Sequence, residues 1–491
     1  IAYRFSAKTK AIILRNELSR TEAFESFATE DMISKEQELV NQMYDLQEQL
    51  FLEGVDQDTI LKKYTETQRE LDNFLSNLEH NAPAYFQNKF VFIAPLTRKA
   101  IASSLPSDVA IIEYFFTEDE IISFWITKDH FFDLSISCTP QMMADISSYV
   151  NQCRDASKTI SSEQGYRIYQ QLLEKGLKRI GPTIKRLNII PDGILHTLPF
   201  EALTISEQKV PKYLIQSYSI SHSYSTDLLF KNEEYSYDLP YVGFSSKYTT
   251  DLSQKLKNKK LLFGDENLPQ LVLAKNEIER STALFSGKKF LDQHANIDNF
   301  FKASSDAEII HLSLHGLVDF DDPLRSSIVF DDHKEEFVLS AADLYTHKIN
   351  SELVILSACH SANGKIYLSE GVQGMSKAFL LSGAHSILSS LWNASEASSL
   401  QIIPTFLDNI KSGSSKDQAL QQAKLNYLQN TRPSQKHPSY WANFVLIGDI
   451  STHPPTPFPI GWIALGILIL VISVGMFFLR KKVFKNFFSV P

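Results

Sequence analysis

Ile309-Ile310-His311-Leu312-Ser313-Leu314-His315-Gly316 is a short apolar run that closes on a histidine and a glycine. Its length and branched opening residues read as a buried strand with polar residues at its tip. Forty-four residues beyond His315 lies Cys359, at the tip of a second such run, Leu353-Val354-Ile355-Leu356-Ser357-Ala358-Cys359-His360. On either side the texture repeats. Leu187–Ile190 ends at Pro191-Asp192-Gly193, a turn triplet, and Tyr241–Phe244 and Ser386–Leu391 read as further strands. Helical stretches alternate with them: Tyr166 to about Leu177, Glu277–Leu284, Val372–Leu381 and Lys416 to about Leu428. Gly383 is placed to end the third helix, and Ser415-x-x-Gln418 has the spacing of a capping box for the fourth. Phe444–Ile447 is expected to close the sheet. Ahead of all these, Ala110–Phe116 and Ile121–Thr127 form a hairpin around Glu118-Asp119-Glu120. Strands alternating with helices give the α/β class, with a mostly parallel sheet and ligands beyond its C-terminal strand ends.

A cysteine nucleophile needs a base to hold its thiolate, most often an imidazole, and N–H donors aimed at the developing oxyanion. His315 and Cys359, at two strand tips of one parallel sheet, supply the pair, and the amides of Gly316 and Cys359 the donors. The plainer reading of Cys359 is a small apolar residue packed behind a strand. The i, i+4 pair His311 and His315 suggests zinc, but zinc-peptidase chemistry needs a helix and a Glu after the first histidine. Leu312 stands there, and the surroundings read as strand, so no metal and no cofactor are assigned.

The two tip blocks resemble the active-site blocks of the CHAT domain, a caspase-like, separase-related cysteine peptidase family often joined to tetratricopeptide repeats. Three further stretches resemble the family in the right order: Ser369–Leu380, Gly383–Trp392 and His437–Asp449, while Ile189–Leu203 fits its first half. The resemblance implies a caspase–haemoglobinase-like fold: a degenerate half over 105–235 and a catalytic half over 240–450. It places the dyad on His315 and Cys359, and offers Glu370 and Trp392 as pocket or loop support. Their plainer readings are a helix N-terminal charge and a core tryptophan. His360-Ser361-Ala362 departs from the usual family sequence after the cysteine, as does Ser369 before Glu370. The expected function is a cysteine endopeptidase acting on a protein substrate; the alternative is a silent scaffold that keeps the fold for binding.

The chain has 491 residues, 43% hydrophobic and 21% charged, enough for several cored domains. Its net charge is −9, and the four cations after Pro457 meet no acid, so the remainder carries −13. That acidity argues against nucleic-acid binding. Three cysteines make no disulfide framework, although a Cys138–Cys153 bridge stays open. Residues 1–95 read as the end of a helical repeat array followed by an αα-hairpin, with Leu39, Met43, Leu46 and Leu50 as one stripe. This segment is expected to take a regulatory protein partner. Ile1 is not Met, so the sequence reads as the C-terminal part of a longer product. Residues 451–459 form a Pro-rich spacer and 460–479 an uncharged span long enough for a bilayer, followed by a basic tail over 480–491. The basic cluster predicts a single-pass membrane protein with a cytoplasmic tail and a periplasmic body. The alternative is a cytosolic tail-anchored protein.

Overall fold

The computed structural model describes residues 98–451, less 118–119, 209–210, 227–228, 230–236, 262–267, 320–324, 345–346 and 358–369, together with isolated helical residues between 35 and 74. The helical hairpin expected within 1–95 otherwise lies outside the described residues. After α1 (Arg98–Ser104), β1 (Val109–Phe116), β2 (Glu120–Ile126) and β3 (Phe131–Ser137) make an antiparallel meander. The expected hairpin is its first turn, where Thr117 N–H reaches Glu120 O at 2.8 Å. α2 (Pro140–Arg154) starts where the sequence permits: the Thr139 hydroxyl accepts from Met142 N–H, and Pro140 has no N–H to leave unsatisfied. α3 (Ser162–Tyr169) runs through a π-turn at Gln170–Glu174 into α4 (Lys175–Ile180). β4 (Arg186–Ile190) and β5 (Ser219–His222) then add in parallel beside β1.

The chain continues through β6 (Val242–Ser245), α5 (Leu252–Asn258), α6 (Ala274–Phe285), β7 (Lys288–Leu291), α7 (Ile297–Ser304) and β8 (Ile309–Ser313). Three short strands, β9 (His315–Leu317), β10 (Ser327–Val329) and β11 (Val338–Ser340), form a small antiparallel sheet. α8 (Ala341–Leu344), β12 (Leu353–Leu356), α9 (Glu370–Leu381), β13 (Ser386–Ser390), α10 (Glu396–Lys411), α11 (Lys416–Asn430) and β14 (Phe444–Gly448) follow.

The main sheet has eleven strands in the order β3-β2-β1-β4-β5-β14-β13-β12-β8-β6-β7. Both faces are covered, as parallel strands require. Successive side chains of β12 point to opposite faces: Leu353 and Ile355 join the core that holds Ile402 and Phe406 of α10, and Val354 and Leu356 the core that holds Met375 and Phe379 of α9. Burying each such side chain stabilises by roughly 1.5–3 kcal/mol. β14 does not close the sheet at an edge. It lies in the middle, parallel to β5 and antiparallel to β13, and joins the two sides.

Buried charges reinforce that seam. Arg186 grips Asp417 with two bonds of 2.8 and 2.7 Å, and the Ser219 hydroxyl donates to the same carboxylate at 2.6 Å. Lys424 pairs with Glu201, and Lys416 with Glu352 and Asp449. Gly383 ends α9 at φ +113°, where an added Cβ would meet Ile349 O at 2.4 Å. The expected capping box at α11 takes another form: Ser415 Oγ bonds the side chains of Asp417 and Gln418, at 2.8 Å each. Cys138 and Cys153 are both thiols, so no bridge joins them.

The membrane reading is corrected. Among the described residues no helix is long and apolar enough to cross a membrane. The longest, α10, has 16 residues and carries Glu396, Asp408 and Lys411. At 1.5 Å per residue such a helix falls short of a hydrocarbon core of about 30 Å. Residues 460–479 lie outside the described residues, and neither a single-pass topology, a bilayer contact nor a membrane location is supported.

Candidate active site

β8 and β12 are neighbours in the sheet, parallel and in register at Leu312↔Leu356. Ser357 N–H reaches across to Leu312 O at 3.1 Å, so the pairing holds to the last described residue of that strand. His315 stands three residues past Leu312, and Cys359 three residues past Leu356. Cys359 itself lies outside the described residues, as do Ala358 and His360.

His315 opens β9 and is fully buried. Its Nε2 lies 2.8 Å from Pro269 O. A carbonyl oxygen only accepts, so Nε2 carries the proton, and Nδ1 is the basic nitrogen of the neutral ring. The imidazole lies on the Tyr248 ring with centroids 4.8 Å apart and an interplanar angle of 31°. His315 N–H donates to Tyr248 Oη at 3.0 Å, and that hydroxyl donates to Val329 O at 2.7 Å. Burial pushes the Tyr248 phenol far above its ordinary range, so it stays a neutral donor. Gly316 follows in β9, opposite Ile328 of β10.

His311 belongs to a different setting, although only four residues precede His315. Its Nε2 is 2.9 Å from Glu277 and its Nδ1 2.9 Å from Tyr241 Oη, all within the buried layer between α6 and the sheet. The i, i+4 pair therefore serves two separate networks. Glu370 is the first residue of α9, and its side chain lies outside the described set. Trp392 is a core residue, 7% exposed, with Nε1 donating to Ser439 O at 3.1 Å.

A cavity of about 550 Å³ opens beyond the ends of β6 and β7. Lys247, Thr249, Leu291, Asp292, Gln293, His294 and His333 line it with Tyr248, the residue that also supports His315. Behind it Asp331, Asp332 and His333 bring potential metal-ligand atoms within 4.8 Å of one another. Their oxygens are already engaged: Asp331 with His333 at 2.7 Å, and Asp332 with Lys255 at 3.2 Å and Thr249 N–H at 2.9 Å. The group reads as a hydrogen-bonded cluster. Sequence reasoning missed Tyr248, Pro269 and Gln270, which lie 67, 46 and 45 residues before His315. No periodicity or motif marks them; a paired strand tip next to an unassigned loop was the available signal.

The family model described as the CHAT domain matches residues 162–449, more than half of the chain. Tetratricopeptide repeat protein 28 of Mus musculus is 33% identical over 122 residues, 25% of this chain and 5% of that protein. Separase, in the Saccharomyces cerevisiae separase-securin complex, aligns with a TM-score of 0.45 at 11% identity, over 91% of this chain and 40% of that one. The Arg specific cysteine proteinase gingipain R aligns with a TM-score of 0.37 at 9% identity, over 64% of this chain and 76% of that one.

Proposed function

This chain belongs to the CHAT domain family, and on that footing we propose that it is a cysteine endopeptidase working through His315 and Cys359. The observation that carries the reading is the register of β8 and β12. With Leu312 opposite Leu356, each candidate residue follows its member of that pair by the same three positions in sequence.

The chemistry follows from the residues. Nδ1 of His315 takes the proton of the Cys359 thiol, and the thiolate attacks a peptide carbonyl. The amides of Gly316 and Cys359 donate hydrogen bonds to the oxyanion. The imidazolium then protonates the leaving amine, and water cleaves the thioester, returning the thiol. Pro269 O keeps the proton on Nε2 throughout, which leaves Nδ1 to act.

The domain reading belongs to the same proposal: a degenerate half over 105–235, a catalytic half over 240–450, and a helical segment over 1–95 whose partner gates the site. The partial match to a tetratricopeptide repeat protein agrees with that layout. Cleavage that is full and unregulated without residues 1–95 would remove the gate.

The test is a peptide-library digest by the full chain beside its Cys359→Ala variant. Cuts at a defined residue type that vanish in the variant support the enzyme. A library left intact by both proteins, and by the chain freed of residues 1–95, favours the scaffold alternative.

A further inference from the structure

Strand β9, which carries His315, has three residues and pairs only with the equally short β10 in the small sheet. Such a strand holds its backbone weakly and does not by itself fix an imidazole plane. The contacts that do fix it form a closed circuit. Gln270 Oε1 accepts from Tyr248 N–H at 3.2 Å, and Gln270 Nε2 donates to Tyr248 O at 2.8 Å, so one side-chain amide satisfies both main-chain groups of Tyr248. The preceding residue, Pro269, gives its carbonyl to His315 Nε2. Tyr248 closes the loop by packing its ring at a tilt against the imidazole and accepting the His315 N–H. One residue earlier, Leu268 N–H donates to Ser253 Oγ of α5 at 3.2 Å. The Pro269 carbonyl is therefore bracketed by an anchor on each side.

We propose that Gln270 is a positioning residue: by clamping Tyr248 it fixes the Pro269 carbonyl, and through it the tautomer and plane of His315. This rests on the dyad reading for its consequence in catalysis, but the hold on the ring is a separate physical fact. Proline has no N–H and a fixed φ, so the aim of its carbonyl is set by what its neighbours grip. A neutral imidazole left without that acceptor has no strong preference for Nε2–H, and its basic nitrogen ceases to be defined. Gln270 is exposed, whereas Tyr248 is buried. Removing the amide therefore opens no cavity, and the variant is expected to fold.

The experiment uses the full chain with ¹⁵N-labelled histidines, His315 being assigned from the His315→Ala spectrum. Its second readout is the iodoacetamide rate at Cys359 across the neutral pH range. The expected wild-type signal is the Nε2–H tautomer. Gln270→Ala is expected to give mixed tautomers, an unchanged Tm, and alkylation slower by about tenfold, the lower end of what ångström-scale misplacement costs. Tyr248→Phe keeps the ring contact and the Gln270 clamp, so its Nε2–H tautomer should persist. An unaltered tautomer in Gln270→Ala overturns the proposal. The two failures are separable. If His315→Ala leaves alkylation unchanged, the dyad falls, while the Gln270→Ala tautomer still decides whether Gln270 holds the ring.

Discussion

At the tip of β4 the chain turns through Pro191-Asp192-Gly193, and at the tip of β8 it passes Leu314 into His315-Gly316. Both tips lie at C-terminal ends of parallel strands in one sheet, and both present a polar residue followed by glycine. At the first, the Asp192 carboxylate accepts from Phe116 N–H at 2.9 Å and Gly193 N–H at 3.0 Å, so the side chain ties its own turn to the end of β1. At the second, Tyr248 and Pro269 hold an imidazole and leave its protonation state defined, and Val329 O in turn holds the Tyr248 hydroxyl. His222 of β5 makes the same point. Burial first, then the Lys424 and His196 charges, lower its pKa to about 3, and it is a neutral core residue. The lesson is that a polar strand tip becomes a reactive candidate through the chemistry of what meets it: main-chain donors occupy the carboxylate, whereas an acceptor at one ring nitrogen defines the other as the base.

The comparison assumes that both sides form one cooperative body, and the seam is where it breaks. Lys424→Met leaves Glu201 buried without its cation and should cost about 3–5 kcal/mol in urea unfolding. One transition at a lower midpoint is the expected curve; two separate transitions would show that the sides fold independently. Next in size is Gly383→Ala, which forces a side chain into positive φ and against Ile349 O. A loss of more than about 1 kcal/mol is expected, read from the same denaturation curves.

Glu308 and Glu352 sharpen the comparison at the opposite end of the strands. Burial, then Glu352, push Glu308 up to about 7, with Lys416 opposing. Glu352 is itself buried, yet His385 and Lys416 hold it down to about 2. The signs are opposite. Glu352 adds stability above its unfolded pKa, lost as pH falls from about 4.5 toward 2. Glu308 favours its proton when folded, so its cost appears as pH rises from about 4.5 through 7. Glu308→Gln should therefore stabilise by about 1 kcal/mol near pH 8 and by nothing below its unfolded pKa. A gain of equal size at both pH values would refute the ionisation. The smallest effect is Asp192→Asn, at most about 1 kcal/mol, with Cys359 alkylation untouched. A slowed alkylation there would erase the contrast between the tips.

Much of this architecture is legible in the sequence because β4, β8, β12 and β13 are fully buried and carry short runs of branched apolar residues, unbroken in β12. β3 is not, since it alternates at the sheet edge and its exposed residues dilute the signal. The start of α2 carries a usable mark, Thr139-Pro140, a capping residue followed by a proline. The central position of β14 depends on pairing with β5, more than 200 residues earlier, and no local pattern encodes that. The proposed dyad residues are legible through their family blocks, while the arrangement of Tyr248, Pro269 and Gln270 is tertiary and has no sequence signature. The apolar run at 460–479 satisfied a length rule, but the described helices give it no support as a membrane span.

The most direct measurement is the alkylation rate of Cys359 in wild type and in His315→Ala, with Cys138 and Cys153 as internal references in the same protein. Burial pushes the Cys153 thiol far up, so it should react slowest. Cys359 is expected to outpace Cys138 and to slow by about a hundredfold without the imidazole. Equal rates at Cys359 in the two proteins would contradict a shared proton between this histidine and this thiol.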